Sequence, residues 1–196
     1  MKTTRYIKQA LLQLTFVATI LLFASCSNTQ KPKDTKEVAE DRNDEKFDNN
    51  KQEKDAQFLV NAAEINLEEI QLGKLAQKKG GTAEVKELGK RMEDAHTKSL
   101  NDLKSLAKRK MITIPTTPTE NAQDAYETLN EESGKDFDKA YADKVVNEHE
   151  DAIEAFEEAS TDSNDTDIKN WARASLPDLR MHLDNSIDSQ KKLEKI

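Results

Sequence analysis

Apolar residues recur every three or four positions from about residue 55 onward, which is the spacing of amphipathic helices. The pattern predicts four long helices, at about 55–79, 82–110, 133–160 and 165–195, and one short helix at about 120–132. No strand-like alternation competes with it, and the chain holds only five glycines and four prolines. The sequence therefore predicts an all-α protein whose folded domain, residues 54–196, is a four-helix bundle with one short extra helix.

Helix boundaries are marked by residues that favour turns. Gly80 and Gly81 end the first long helix, and prolines mark the loop after the second. Ser133, with Asp136 three residues later, predicts a capped start for the third long helix. Pro177 lies inside the last predicted helix, where we expect it to kink or break the helix because proline removes a backbone donor.

The first 25 residues have the character of a cleaved signal peptide. Three basic residues precede an apolar run over 14–24, which is shorter than the roughly 20 residues that a membrane span needs. The run ends in "FASC", and Cys26 is the only cysteine in the chain. This stretch resembles a bacterial lipoprotein signal, which implies cleavage before Cys26 and acylation of its sulfur. The alternative is an ordinary signal peptide with a chance cysteine.

The resemblance to a lipoprotein predicts a cellular location, the cell envelope, and a partner, the lipid bilayer. Two or three acyl chains on Cys26 would attach the protein stably to a lipid bilayer in the cell envelope. Ser27, rather than aspartate, follows the cysteine, which favours the outer membrane in Gram-negative bacteria. Residues 26–53 contain only two bulky apolar side chains, Val38 and Phe47. We therefore expect a lipidated cysteine followed by a disordered tether.

The charge of the chain excludes one class of partner. The formal net charge is −8, and removal of a leader with three positive charges makes it more negative. Nucleic-acid binding depends on basic surface, so no nucleic-acid partner is predicted. The same argument opposes a basic membrane-binding patch, which leaves lipid as the expected means of membrane attachment.

One acidic residue and all three histidines fall on the inward faces of different long helices. Residues separated by three, four or seven positions share a helix face. By this rule Glu69, His96, His149 and His182 all point to the core, and each lies near the middle of its helix. Midpoints of packed helices of similar length lie at one level, so the sequence predicts a single polar layer with one such residue from each helix.

Two interpretations of this layer are open. A transition metal, zinc or iron, would satisfy buried imidazoles, with Glu69 offsetting its charge. Glu93, three residues before His96, gives the Glu-x-x-His spacing of di-metal bundles. Asp178, four residues before His182, is a further candidate ligand or orienting group. In the alternative, the layer holds no ion and only fixes helix register through hydrogen bonds.

Four blocks together resemble the domain of unknown function 4142 family: "DAQFLVNAAEINLEEIQLGKLAQKK", "VKELGKRMEDAH", "FDKAYADKVVNEHEDAIEAFE" and "NWARASLPDLRMH". The resemblance covers about residues 54–190. It implies a ferritin-like helical bundle in bacterial envelope proteins, and it supplies no established activity. The family usually has aspartate directly before the histidine of the second helix, a place that Ala95 occupies here.

These observations favour a lipid-anchored bundle that binds a transition metal for storage, scavenging or stress protection. The alternative is a metal-free structural or protein-interaction lipoprotein. A metalloenzyme is the third and least favoured hypothesis, because the sequence contains no nucleophile–base pair, phosphate-binding glycine loop or CxxC motif.

Overall fold

The computed structural model describes residues 32–195 and contains six helices there. They are α1 (Thr35–Asp44), α2 (Asn50–Lys79), α3 (Ala83–Lys110), α4 (Glu120–Glu131), α5 (Gly134–Asp162) and α6 (Thr166–Leu193). The prediction of an all-α bundle is confirmed. The predicted signal peptide at 1–25 and the predicted lipidation at Cys26 lie outside the described residues. Within the described part, no helix is both long enough and apolar enough to cross a membrane.

The four long helices form two antiparallel hairpins, α2–α3 and α5–α6. The hairpins pack with α2 against α5 and α3 against α6. Lys110 at the end of α3 pairs with Asp165 at the start of α6 at 2.6 Å. Glu84 at the start of α3 pairs with Lys192 at the end of α6 at 2.8 Å. Helices α3 and α6 are therefore antiparallel.

Helix α4 is the crossover that joins the two hairpins. It runs beside α2 in the same direction, because Gln71 donates to the carbonyl of Ala122 and Lys79 donates to that of Asn130. The crossover returns the chain to the far end of the bundle before α5 begins. One long crossover between two helical hairpins is the connectivity of ferritin-like bundles.

The apolar core is divided into two clusters, one toward each end of the bundle. One cluster contains Leu59, Leu103, Phe156 and Ile168 and is the larger. The other contains Leu72, Met92, Phe137 and Tyr141. Full burial of a side chain of this size contributes about 1.5–3 kcal/mol. In α2, α3 and α5, the residues between the two clusters supply the central polar layer that the periodicity predicts.

The prediction of a disordered tether over residues 26–53 is wrong from residue 35 onward, where two helices begin. Residues 35–44 form α1, which Asp34 caps by accepting a hydrogen bond from the backbone N–H of Lys36 at 2.7 Å. Asn43 is buried, and its side-chain amide both donates to the carbonyl of Thr113 and accepts from its N–H, each at 2.8 Å. Polar contacts, which a count of apolar residues ignores, therefore attach this segment to the bundle.

Helix α2 also begins earlier than the apolar pattern predicts. Asn49 caps it, accepting from the backbone N–H of Gln52 at 3.0 Å, and its first turns are polar. At the start of α5, Ser133 occupies the cap position but makes no side-chain capping hydrogen bond, so the predicted capping interaction is absent. Helix α6 continues through Pro177 without a break.

Two buried aspartates join the hairpins at opposite ends of the bundle. Asp138 on α5 accepts hydrogen bonds from the N–H groups of Gly81 and Thr82, in the turn of the first hairpin, at 2.7 and 2.9 Å. Asp55 on α2 accepts from the N–H groups of Asn164 and Asp165, in the turn of the second hairpin. Each hairpin thus supplies a carboxylate that accepts hydrogen bonds from the backbone N–H groups in the turn of the other hairpin.

Candidate metal centre

The structure brings the three histidines together in the middle of the bundle. His96 on α3, His149 on α5 and His182 on α6 are 3 %, 1 % and 8 % exposed. The His96 and His182 ring centres are 5.7 Å apart, and His149 lies 5.4 Å from each of them. One nitrogen from each ring can be chosen so that all three lie within 4.8 Å of one another. The helical phase predicts this convergence correctly.

The proton of the His96 ring is placed by Asn66 on α2. The amide nitrogen of Asn66 donates to the carbonyl of Ala62 at 2.6 Å, which turns its oxygen toward His96. That oxygen lies 3.1 Å from Nδ1 of His96. Because the oxygen can only accept, Nδ1 carries the proton. The other ring nitrogen, Nε2, then presents a lone pair.

The His149 ring has the same tautomer for a different reason. Its Nδ1 lies 2.9 Å from the carbonyl oxygen of Val145, one turn earlier on α5, and must donate to it. Oε1 of Glu69 lies 3.4 Å from the same nitrogen. Glu69 therefore faces the outer side of the His149 ring and does not enter the group formed by the three imidazoles.

The lone pairs of His96 and His149 face one another. Their Nε2 atoms are 3.4 Å apart. Burial and the neighbouring histidines hold the pKa of His96 well below its usual value, and burial lowers the pKa of His149 to about 4. Both rings are therefore neutral at pH 7, and two acceptors meet without a proton between them. Two nitrogens bound to a tetrahedral zinc ion are about 3.3–3.4 Å apart, so this spacing fits a shared metal ion.

His182 completes the group from α6. Its Nδ1 is buried and has no hydrogen-bond partner among the described residues. Burial lowers the pKa of His182, and the negative charge of Asp178 opposes that effect. Asp178 is exposed one turn earlier on the same helix. The structure thus places Asp178 beside the centre at the protein surface, and not among the buried ligands.

Glu93 does not reach the histidines, contrary to the Glu-x-x-His prediction. Its carboxylate accepts from Gln77 at 2.6 Å and lies 3.7 Å from the Lys74 ammonium, both on α2. A Cβ atom at Gly73 would lie 3.0 Å from the backbone nitrogen of Glu93 and 3.4 Å from its Cβ. Glu93 therefore lies beside the close approach of α3 to Gly73 of α2, and its side chain contacts residues of α2.

A second polar group lies behind His149, between α2 and α5. Glu69 is fully buried, and its pKa is well above the usual range because of burial and because of the Glu148 carboxyl. Burial and the hydrogen bond with Glu68 raise the pKa of Glu148 to about 8. Burial therefore disfavours the charged form of both groups in the contact between Glu69 and His149, although its geometry is that of an ion pair.

Lys144 offsets the remaining charge of this second group. Its ammonium lies 2.8 Å from Glu68 and 2.5 Å from Glu148. Burial lowers the pKa of Lys144, but its hydrogen bonds to Glu148 and Glu68 outweigh burial and raise it. The hydroxyl of Tyr141 is also buried here, and burial raises its pKa.

Sequence reasoning missed several of the residues that surround the histidines. Asn66 lies three residues before Glu69 and thus on the same helix face, a spacing that could have revealed it. Glu148 directly precedes His149, and consecutive helical residues point about 100° apart, so its participation was not predictable from phase. Lys144 lies four residues before Glu148, the usual spacing of a surface ion pair, which gave no sign of burial.

A cavity of about 410 Å³ extends from the histidine centre toward solvent between α3 and α6. His96, His182 and Asn66 line its inner part, whereas Lys98, Asp102 and Asp178 are exposed residues of its wall. His149 is not part of the lining. The centre therefore opens between α3 and α6, whereas His149 and Glu69 lie on a closed side between α2 and α5.

The chain belongs to the family described as "Domain of unknown function (DUF4142)", whose model matches residues 40–187. The matched region begins inside α1 and contains all three histidines. No curated protein and no solved structure matches the chain.

Proposed function

We propose that this member of the DUF4142 family is a lipid-anchored protein of the cell envelope that binds one divalent transition-metal ion, zinc or iron, through His96, His149 and His182. The observation that carries the proposal is the 3.4 Å approach of the Nε2 atoms of His96 and His149. Both Nδ1 atoms already donate to oxygen, so a shared cation is what these two lone pairs lack. Imidazole is a common ligand of zinc and iron.

The surroundings of the three rings support the proposal. Asn66 and Val145 hold two of the rings in the tautomer that a metal ligand needs, which is the usual role of groups that support metal-binding histidines. The cavity between α3 and α6 gives ions a route to His96 and His182. Storage, scavenging or protection against metal stress at the envelope would each use such a site.

Metal titration of the full-length protein, after removal of bound ions with a chelator, tests the proposal. We expect one zinc or cobalt ion per chain and a higher melting temperature with metal, because an ion that binds only the folded state stabilises it. His149→Ala should weaken binding by more than the roughly 100-fold that follows loss of a group that only orients a ligand. Glu93→Gln is the matched control and should bind as the wild type does.

Two results would refute metal binding at this centre. The first is an equal, sub-stoichiometric metal content in the wild type and in His149→Ala. The second is a loss of affinity in Glu93→Gln as large as that in His149→Ala, which would restore the di-metal interpretation that the position of Glu93 opposes.

A second candidate function is that of a metal-free structural or protein-interaction lipoprotein. The observation that favours it is the second polar group: the buried Glu69 and the partly buried Glu148 share the layer with His149 and join α2 to α5 without an ion. Such a layer could fix helix register by itself. In that case chelation would leave thermal stability unchanged, and added zinc would not raise it.

The lipid anchor rests on the sequence around Cys26 and is tested separately. Cells grown with a labelled fatty acid should incorporate the label into the wild-type protein and not into Cys26→Ser. Cys26→Ser should also leave the membrane fraction. Unchanged labelling of this variant would exclude acylation at Cys26, whatever the outcome of the metal titration.

A further inference from the structure

The cavity between α3 and α6 is larger than a metal ion and its water ligands require. Its volume of about 410 Å³ lies within the range of about 300–1,000 Å³ that is typical of small-molecule sites. The cavity therefore has room for an organic molecule beside the histidines. This property does not depend on whether the histidines hold a metal.

One side of the cavity is aromatic. Phe156 on α5 and Trp171 on α6 line it, with their ring centres 5.2 Å apart. Phe58 on α2 supports both rings from behind, with ring centres 5.0 Å from Phe156 and 5.9 Å from Trp171. Ile65 and Leu179 add aliphatic surface. A planar apolar body would gain burial and ring contacts against this wall.

The polar groups of the cavity limit the charge of its ligand. Asp102 and Asp178 lie on its wall with a single basic residue, Lys98, so the fixed charges favour no anion. At the inner end no lysine, arginine, aspartate or glutamate lines the cavity: the amide of Asn66 is already satisfied, and Nδ1 of His182 is buried without a hydrogen-bond partner among the described residues. An anionic head would lose its hydration there without gaining a positive partner. A cationic head would lose its hydration as well, and its nearest opposite charge, Asp178, is exposed and therefore screened by solvent.

We propose that the α3–α6 cavity binds a small, uncharged aromatic molecule, with its ring against Trp171 and Phe156 and its hydrogen-bonding head against the His182 ring. Trp171 is the only tryptophan in the chain, so its fluorescence reports on this cavity alone. The site shares His182 with the proposed metal centre but does not require a metal ion, so it is to be tested in metal-free protein.

The test uses the full-length, chelator-treated protein and three probes with the same ring: benzyl alcohol, benzoate and benzylammonium. Benzyl alcohol should change Trp171 fluorescence saturably. A unit charge at about 8 Å is worth roughly a 30-fold change in affinity at an effective dielectric constant near 20. The wall aspartates are exposed, which reduces this effect, so benzoate should bind at least several-fold more weakly. Benzylammonium should also bind more weakly than the alcohol, because its charge is desolvated at the inner end.

Two serines of α3 provide matched variants. Ser99 lines the cavity, whereas Ser105 is exposed on the same helix and does not line it. Ser99→Phe should fill the cavity and abolish the response to benzyl alcohol, and Ser105→Phe should retain it. Ala174→Leu, at an exposed position of the α6 wall, should block the cavity from the opposite side. It replaces Ser99→Phe as the test variant if Ser99→Phe does not fold.

The proposal is overturned by any of three results: no saturable response in the wild type, an undiminished response when the cavity is filled, or tightest binding by either charged probe. Failure of metal binding would leave all three measurements interpretable, since no metal is present in them. Saturable binding of benzyl alcohol in a protein that takes up no metal would support the ligand site in the cavity and refute the metal centre.

Discussion

Oε1 of Glu69 on α2 lies 3.4 Å from Nδ1 of His149 on α5, on the side of the ring that faces away from His96. This relationship links the charge of the histidine centre to the carboxyl group behind it. Without metal, burial and the Glu148 carboxyl hold the pKa of Glu69 well above its usual range, which favours its protonated form. A divalent cation one imidazole ring away would favour the ionised carboxylate.

We therefore expect metal uptake at pH 7 to release about one proton from the pair formed by Glu69 and Glu148, because metal binding at a buried site is coupled to proton release. Calorimetric titration with zinc in buffers of different ionisation enthalpy measures this release. Glu69→Gln should abolish it and weaken binding by roughly 10–100-fold. Proton release that persists unchanged in Glu69→Gln would show that the proton has another source.

The stability of the metal-free protein should pass through a maximum as pH is varied. The pKa of Glu148 rises from 4.5 in the unfolded chain to about 8, so the folded protein holds the extra proton and loses stability as pH increases over that range. The pKa of His149 falls from 6.5 to about 4, so stability is lost as pH decreases over that range. The two effects oppose one another between about pH 4.5 and 6.5.

Above pH 6.5 only the carboxyl effect remains. One group then lowers the free energy of unfolding by about 1.4 kcal/mol per pH unit, or roughly 2 kcal/mol between pH 6.5 and 8. Urea unfolding across this range should show the decline in the wild type and a much smaller one in Glu148→Gln. Glu150→Gln, at an exposed position of the same helix, is the control and should follow the wild type.

Asn66 should increase the affinity of the site for metal although it is not itself a ligand of the ion. Asn66→Ala removes the acceptor that holds the proton on Nδ1 of His96. The tautomer with an unprotonated Nε2, which a metal needs, is then no longer favoured. We expect zinc affinity to fall by about 10–100-fold, measured by competition with a chromophoric chelator. Asn61→Ala changes an exposed asparagine of the same helix and should have no effect. Equal affinities of the two variants would contradict the role of Asn66.

Asn43 tests whether α1 is part of the folded domain. Asn43→Ala removes both hydrogen bonds to the backbone of Thr113 and leaves that buried segment with unsatisfied groups. The free energy of unfolding should decrease by about 1–3 kcal/mol. Asp44→Ala, at the next and exposed position, should change it little. A disordered tether in this region would make the two substitutions equally harmless.

The periodicity of apolar residues was sufficient to predict the long helices and the convergence of His96, His149 and His182. Phase and height along a helix are both determined by residue number, so inward residues at helix midpoints must meet in a bundle of equal helices. Glu93 shows the limit of this reasoning. It lies three residues from His96, yet the close approach of α2 at Gly73 directs it to another neighbour.

The remaining errors share a physical cause. The attachment of α1 depends on Asn43 reaching a backbone segment 70 residues away, and the second polar group depends on Glu148 facing Glu69 on another helix. Asn43 and Glu148 both look like ordinary surface residues in the sequence. Only the packing of the helices decides which polar residues are buried.

Asp55 and Asp138 have a consequence for how the bundle assembles. Each hairpin leaves the backbone N–H groups of its own turn unsatisfied until the other hairpin arrives with its carboxylate. Sliding one hairpin along the other by a single helical turn, about 5.4 Å, would break both sets of bonds at once. The same displacement would separate His96 from His149. The hydrogen bonds at the two turns, one at each end of the bundle, therefore keep the central histidines aligned. We expect the two hairpins to fold as one cooperative unit rather than in succession.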